Sequence, residues 1–491
     1  MATPAIAQGT GGLNAQSTAA QTSDPVDQAV DSINDRLSTS WNDWAVTHGD
    51  VQSIANTLEG LDANQTRAVI DQLAADGTLD KVAQEFTDDK VLGLGGLTVA
   101  ERSQFFNEMA RKLDSGGLKT LSDAFAGTDA NSGGYEDVVA LGQAVATHAS
   151  PHVQVEYVQE MASDMTDQPD YTTTHLGGSM SRTGDAEAAA VGEVLAGLQG
   201  SPSAAREAFG ALSYEQMRAV MSASIDETVN YSSHAVSANL DGKVAGEILA
   251  SASQINDPDV KARLFDASAQ TLEHINEDFG FPVTALGKEE SANAVANGLT
   301  QLLDTDTTGI MRELAYNQST MDGTSFGQYA KHMLNNGQED VLGEQMARLQ
   351  MGNQLNENPI TRFEDSVTLN SGAIRYENAG TLGYFVGGVY SAAESISSDV
   401  QQQQELTSKV LNSTLTVIGS VVPPAVNTGF GVAKDWAVYA IEAAIEDPGT
   451  TAAQQLERAA IPTNPNTDEM GVGTAAFSGF NDRISQVTRL D

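Results

Sequence analysis

The sequence predicts an all-α protein of stacked helix-hairpin repeats, followed by a smaller helical C-terminal domain that contains a buried apolar hairpin. Apolar residues recur three and four positions apart along most of the 491 residues, which is the spacing of one helix face. Aromatic residues make up only 6%, which favours helices packed through small side chains over a β-sandwich. Two runs also share a degenerate pattern, as expected of helices that bury their faces only by stacking, with chance similarity between helices as the alternative.

In the first part of the chain, capping residues mark where helices begin and end. Asp62 is the expected N-cap of a helix that stops near Gly77. Thr98 and Glu101 have the spacing of a capping box, which marks another helix start. Apolar faces at helical spacing are formed by four groups: Val51, Ile54, Leu58 and Leu61; Val69, Ile70 and Leu73; Leu79, Val82, Ala83 and Phe86; Phe105, Phe106, Met109 and Leu113.

The same signals continue after residue 149. Ser150 is an expected N-cap with Pro151 at the first helical position. Ser213 and Gln216 form a second capping-box pair, and Pro258 begins a later helix. Further helix faces are expected from these groups: Val153, Tyr157 and Met161; Met217, Val220 and Met221; Val260, Leu264, Phe265, Leu272 and Ile275. Two more helices are expected over 291–303 and 310–314.

Two echoes in the sequence suggest copies of one helical unit. Residues 61–70 align without a gap to residues 212–221, sharing the pattern L-[DS]-x-x-Q-x-R-A-V up to position 69. The second echo pairs Ala190, Val191, Leu195 and Leu198 with Ala294, Val295, Leu299 and Leu302. Such helix hairpins cannot bury their apolar faces alone, so a stacked array is expected to about residue 349.

Changes in composition divide the chain into segments. The run 166–184 is polar and glycine-containing, and 351–380 lacks helical periodicity, although Phe363, Val367, Leu369 and Ile374 suit a short hairpin. The predicted organisation is a disordered polar leader over 1–40, a helical repeat block over 41–165, a polar linker loop over 166–184, a second repeat block over 185–350, an irregular connector over 351–380, a helical domain with the apolar hairpin over 381–448 and a tail over 449–491.

The charge and the lack of cysteine exclude several classes of function. Twenty-five Lys and Arg residues against 66 Asp and Glu residues give a formal charge of −41, which repels nucleic acid. Such a surface either keeps the chain soluble or suits a basic protein partner, such as a chaperone or an immunity protein. Without cysteine there can be no disulfide, no thiolate metal site and no cysteine nucleophile.

One short motif resembles a catalytic one. Gly323, Ser325 and Gly327 satisfy G-x-S-x-G, the nucleophile turn of α/β-hydrolases, and His332 follows downstream. The motif requires a buried strand before the serine, whereas residues 314–322 are polar. The alternative is a glycine-containing loop in which Ser325 caps the next helix, so we expect no catalytic residue here and keep a hydrolase only as an alternative.

Two groups of residues have partial metal-ligand spacing. His148, His152 and Glu156 would share a face if they lay on one helix, but Pro151 interrupts that helix. Asp304 and Asp306 begin like a calcium loop, but the required bidentate glutamate is missing, so a weak carboxylate site or an N-cap of the helix at Ile310 is the better interpretation. We therefore expect neither a metal nor a cofactor.

The apolar segment around Pro423-Pro424 is the most unusual physical feature of the sequence. Residues 410–433 contain no charged side chain, and the candidate membrane-hairpin residues of the segment 410–445 are Val417, Ile418, Pro423, Pro424, Phe430, Trp436 and Tyr439. The first arm is shorter than the roughly 20 apolar residues that a span needs. The segment therefore suits a buried core hairpin, with insertion into a membrane as the alternative.

In style, the chain resembles the helical regions of large secreted bacterial effectors and polymorphic toxins. The similarity lies in the Ala/Gln/Ser/Thr-rich leader through Ser23, the absence of cysteine and the paired units at Leu61 and Leu212. Over 381–445 the apolar hairpin is similar to those of pore-forming colicins. The resemblance implies an effector or toxin component that acts by protein–protein interaction and is secreted by a specialised system without a cleavable signal peptide; a bacterial cytoplasmic location and a membrane-active toxin are the alternatives.

Overall fold

The structure is a computed structural model dominated by α-helices, which confirms the predicted all-α class. It describes residues 24–38, 46–87, 96–128, 134–165, 172–175, 178–182, 185–225, 228–232, 236–276, 283–316, 325–351, 367–368, 374–375, 377–397, 401–403, 405–407, 409–410 and 413. Short strands, which the sequence analysis did not predict apart from one hairpin, lie in the connections between helices.

Eighteen helices can be delimited within the described residues. In chain order, the first nine are α1 (Pro25–Leu37), α2 (His48–Gly60), α3 (Ala63–Ala75), α4 (Thr78–Thr87), α5 (Val99–Lys112), α6 (Ser115–Ala126), α7 (Gly134–His148), α8 (Pro151–Met161) and α9 (Ala186–Gly197). The next nine are α10 (Pro202–Ala211), α11 (Tyr214–Ala223), α12 (Lys243–Ser253), α13 (Pro258–Asn276), α14 (Lys288–Thr305), α15 (Thr307–Tyr316), α16 (Ser325–Asn335), α17 (Glu339–Met351) and α18 (Glu377–Ile396).

Five of the strands form one small sheet between the helices. They are β1 (Thr172–His175), β2 (Gly178–Arg182), β3 (Thr228–Ser232), β4 (Val236–Asn239) and β5 (Val283–Leu286). The sheet order follows the chain, with antiparallel neighbours except for β4 and β5, which are parallel. Because β2, β4 and β5 immediately precede α9, α12 and α14, the sheet lies beside the amino-terminal ends of those three helices.

Helices whose midpoints lie about 35 to 57 residues apart in the chain pack side by side. Along one row, α5 contacts α7, α7 contacts α9, α9 contacts α12, and α12 contacts α14. Side-chain hydrogen bonds bridge neighbouring helices at similar separations in sequence. Gln52 of α2 donates to Glu101 of α5, 49 residues later, and Gln143 of α7 donates to Glu193 of α9, 50 residues later. A second row is formed by contacts of α3 with α6, α6 with α8, and α8 with α10. The described helices thus stack in two rows; that they are copies of one unit stays a prediction.

Small residues allow close contact between α7 and α9 in the first row. A Cβ atom added at Gly142 of α7 would lie 2.7 Å from the Cα of Ala190 on α9. The contact is reciprocal, since a Cβ at Gly197 of α9 would lie 2.8 Å from the Cβ of Ala146 on α7. The helix backbones therefore approach more closely than larger side chains would permit.

A single hydrophobic core runs through the described helices. Near the amino-terminal end its centre is aromatic, because Phe86 and Phe125 each stack edge-on against a neighbouring ring, at centroid distances of 5.1 Å from Phe105 and 5.0 Å from Phe106. Near the other end, the ring centroids of Phe385 of α18 and Phe326 of α16 are 4.6 Å apart. The described part of the predicted carboxyl-terminal domain thus packs directly on the array.

Two predicted segment boundaries need correction. The leader was expected to be disordered to residue 40, but α1 occupies Pro25–Leu37, with Asp24 as N-cap and Pro25 at the first position. It folds because Val30 and Ile33 are buried against the array. The linker expected over 166–184 is not only loop, since it contains the hairpin formed by β1 and β2. Strand β2 also pairs with β3, which is distant in sequence.

The hairpin expected in the connector is confirmed. Strand β6 (Val367–Thr368) pairs antiparallel with β7 (Ile374–Arg375), which places two of the four predicted apolar residues in the paired strands. Helix α18 then begins at Glu377, four residues before the predicted domain boundary.

Candidate functional site

Two neighbouring grooves open on either side of the amino-terminal half of α12. The α7–α12 groove has a volume of about 430 Å³ and is lined by α7, α9 and the start of α12. The α12–α14 groove has a volume of about 620 Å³ and is lined by α12 and α14 with the segments that precede them. The two grooves share Asp241, Lys243 and Glu247, so α12 forms the ridge between them.

Local sequence fixes the start of this ridge. The Asp241 carboxylate accepts a hydrogen bond from the backbone N–H of Lys243 at 3.0 Å, which satisfies a free donor of the first turn. The backbone N–H of Gly242 donates to Ser291 Oγ on α14 at 3.0 Å. A Cβ at Gly242 would lie 2.8 Å from the Ser291 carbonyl oxygen, so glycine is needed for this approach.

The charged groups that line the grooves are mostly acidic. The lining contains five carboxylates and one ammonium group: Glu136, Glu193, Asp241, Glu247, Glu290 and Lys243. Lys243 is itself 3.7 Å from Glu247 and has a side chain that is 75% exposed. The potential over the grooves is therefore negative, and a cationic ligand would be attracted to them.

The serine of the G-x-S-x-G motif does not form a hydrolase site. Ser325 is the first residue of α16, it is fully buried, and its hydroxyl oxygen has no hydrogen-bond partner. His332 contacts two asparagine side chains instead, with Asn276 at 3.3 Å and Asn336 at 3.2 Å. Burial lowers the pKa of His332. A buried serine that is not bonded to the histidine lacks the geometry of an activated nucleophile.

The metal-ligand candidates are also separated. His148 is the last residue of α7, whereas His152 lies in the first turn of α8, where it sits 3.3 Å from Glu156. Asp306 accepts a hydrogen bond from the backbone N–H of Gly309 at 3.0 Å, which is the predicted helix-capping role at the start of α15. Within the ranges that the structure describes, no cluster of three metal-ligating side chains is present.

A buried polar network joins the last helices of the array. Lys261 is 3% exposed, and its ammonium group donates to Thr305 Oγ1 at 2.8 Å. Burial lowers the pKa of Lys261. Tyr329 is fully buried, where its hydroxyl accepts from Gln345 at 2.9 Å and pairs with Thr300 at 2.8 Å. These bonds connect α13 to α14, α14 to α16 and α16 to α17, so they stabilise the packing of these helices.

The candidate membrane-hairpin residues lie outside the described residues: Val417, Ile418, Pro423, Pro424, Phe430, Trp436 and Tyr439. Among the helices that are described, none is both long and apolar enough to cross a bilayer. Membrane insertion of the hairpin therefore stays a prediction from sequence.

The groove residues were missed in the sequence analysis, although a signal was present. Gly242, Gly246 and Ala250 have the small-xxx-small spacing of a helix that approaches a neighbour closely. Helix α12 as a whole was not predicted, because its few large apolar residues give a weak periodic pattern. The rim carboxylates carry no sequence signature, since acidic residues are common throughout the chain.

We also compared the chain with known proteins. Neither the models of protein families nor the curated proteins contain a match to this sequence.

Proposed function

We propose that this chain is a protein-interaction component, of the secreted bacterial effector or toxin kind, that acts by binding another protein. The observation that carries this proposal is the pair of acidic grooves beside α12, with five carboxylates against one ammonium group. A net charge of −41 adds long-range attraction for a basic partner and speeds its association.

Binding is favoured over catalysis because the motif that resembled an active site has a different environment. Ser325 is buried without a hydrogen bond to a base, and His332 is held by Asn276 and Asn336. The grooves, by contrast, are open to solvent and lined by exposed charged side chains such as Lys243. Open grooves with an electrostatic bias are suited to recognition of a partner.

The interaction is tested on the full chain in the cells that produce it. The tagged protein is isolated after chemical cross-linking and again without it, and the complexes are measured by native mass spectrometry. We expect one defined heteromeric complex that dissociates as the salt concentration rises, because charge attraction is screened. A full chain that remains free of partners under both conditions would contradict the proposal.

The effector assignment makes a separate prediction about export. Deletion of Met1–Ser23 should abolish export while leaving α1 and its Asp24 cap intact. Deletion of 477–491, at the opposite end of the chain, is the matched control. Retention of the full chain in the cytoplasm, or export unchanged by the leader deletion, would count against an effector role and leave the binding function untouched.

A further inference from the structure

We propose that the α12–α14 groove binds a basic amphipathic helix of the partner protein. This inference rests on the proposed function and specifies the chemistry of the partner. We assign the partner helix to the α12–α14 groove because this groove has the larger volume of the two and a floor of small residues.

The floor of the groove permits close approach. Gly242, Gly246 and Ala250 line it from α12, while Ala294 and Gly298 line it from α14. A Cβ at Gly246 would lie 3.2 Å from the Ala294 carbonyl oxygen, so the two helices leave no large side chain between them. Residues 242–250 cover eight steps of about 1.5 Å, so the trough is about 12 Å long, which matches two turns of a docked helix.

The rim determines the charge of the occupant. Asp241 and Glu247 lie on the α12 side and Glu290 on the α14 side, with Lys243 as the one cation of the lining. Asp241 and Glu290 are exposed, and the lysine is 3.7 Å from Glu247. The groove therefore has a net charge of −2, from three carboxylates and one ammonium group. Lysine and arginine side chains on both flanks of a docked helix would pair with these carboxylates.

An exposed apolar residue adjoins the groove lining in sequence. Leu286 immediately precedes Gly287, a residue of the lining, and is 53% exposed. It is one of two large apolar residues that are exposed in the part of the chain with described side chains; the other is Val99. The small apolar residues of the floor, Ala250 and Ala294 among them, favour an occupant with an apolar face between its basic residues.

The test measures binding of a defined peptide to the full chain by fluorescence anisotropy. The probe is a helical peptide of about 15 residues built from Lys, Ala and Leu with one apolar face; the comparison peptide has Glu in place of every Lys. Glu290→Lys should weaken binding of the basic peptide about tenfold. Glu289→Lys is the matched control, because Glu289 is also exposed in the same helical turn but does not line the groove.

A second variant tests the trough itself. Asn297 is exposed and lines the groove, so Asn297→Trp should cover the trough without altering the core and should also weaken binding about tenfold. Equal losses for Glu289→Lys and Glu290→Lys, no loss for Asn297→Trp, or equal binding of the acidic peptide would each overturn the inference. If these variants leave the cellular complex intact, the inference fails while the proposed function stands.

Discussion

Arg102 of α5 and Asp137 of α7 form a buried ion pair, with Arg102 Nε 2.8 Å from Asp137 Oδ1 and side chains that are 14% and 4% exposed. The same guanidinium group donates to two backbone carbonyls through Nη1, at 2.7 Å to Leu97 and 3.3 Å to Phe86. One arginine therefore connects the end of α4, the segment that leads into α5 and the following helix of the first row.

Loss of this arginine should strongly destabilise the fold. Arg102→Ala leaves the buried Asp137 carboxylate without this cation and removes one donor each from the Leu97 and Phe86 carbonyls, so we expect a loss of about 3–5 kcal/mol in the free energy of unfolding. Arg111→Ala is the control, because Arg111 is 51% exposed and pairs with Glu108 on the surface of the same helix. Equal losses in denaturant unfolding of the two variants would refute the role of the buried pair.

Close packing of α7 on α9 gives a second prediction. Gly142→Ala introduces a Cβ at 2.7 Å from the Ala190 backbone, so the helices must separate at a cost of about 1–3 kcal/mol. Gly210→Ala on α10 meets nothing within 4 Å. That variant should be neutral or stabilise by up to about 1 kcal/mol, because alanine is the better helix former. Thermal unfolding of the pair checks both signs, and a stabilising Gly142→Ala would contradict the packing.

Helix capping gives a third prediction, in which two serine N-caps are compared. Ser213 Oγ accepts from the Gln216 backbone N–H at 3.2 Å, and Gln216 Oε1 accepts from the Ser213 backbone N–H at 2.7 Å. Ser213→Ala should therefore cost about 1 kcal/mol in stability. Ser201, the N-cap of α10, makes no capping hydrogen bond with its side chain, so Ser201→Ala should cost much less. Equal costs in chemical unfolding would disprove the difference between the caps.

The burial of His332 predicts a pH dependence of stability. Because burial lowers its folded-state pKa, the unfolded chain takes up the proton first as the pH falls below about 6.5. Its contribution to stability is therefore complete above that pH and is lost on acidification towards the folded-state pKa. His332→Gln should flatten the change in unfolding free energy between about pH 7 and 5. His152→Gln, at a side chain that is 80% exposed, is the control and should keep the wild-type slope. If His332→Gln leaves this slope unchanged, the histidine is not the source of the pH dependence of stability.

Sequence reasoning succeeded where the signals were local. The capping boxes at Thr98 and Ser213 and the N-cap at Asp62 all form as expected, each with its side chain bonded to the third helical residue. Asp62 and Ser213 occupy equivalent positions in the two aligned runs, so the sequence echo corresponds to the same local geometry. These features depend on residues three positions apart, which a single sequence displays directly.

It failed where the determining partner lies far away in sequence. The sheet pairs β2 with β3 and β4 with β5, across an intervening stretch of helices in each case, and its strands are too short to give an alternating pattern. The α12–α14 groove depends on which faces of these two helices meet, and the contacting residues Gly242 and Ser291 are 49 residues apart in the chain. Neither relationship can be obtained from periodicity alone.

The side-by-side stacking of α7, α9, α12 and α14 is the claim on which both grooves depend, and site-directed cross-linking tests it most directly. The chain has no cysteine, so two can be introduced without interference, at Gln143 and Glu193, whose side chains are 2.9 Å apart across α7 and α9. Because Gln143 and Glu193 meet through the ends of long side chains, a short bismaleimide reagent is used to bridge the two cysteines instead of a direct disulfide. We predict rapid cross-linking of the double variant Gln143→Cys/Glu193→Cys and none of Gln143→Cys/Glu290→Cys, which joins α7 to α14, a helix that lies beyond α9 and α12 in the same row. Equal cross-linking of both pairs, or cross-linking of the second pair alone, would contradict the stacked arrangement.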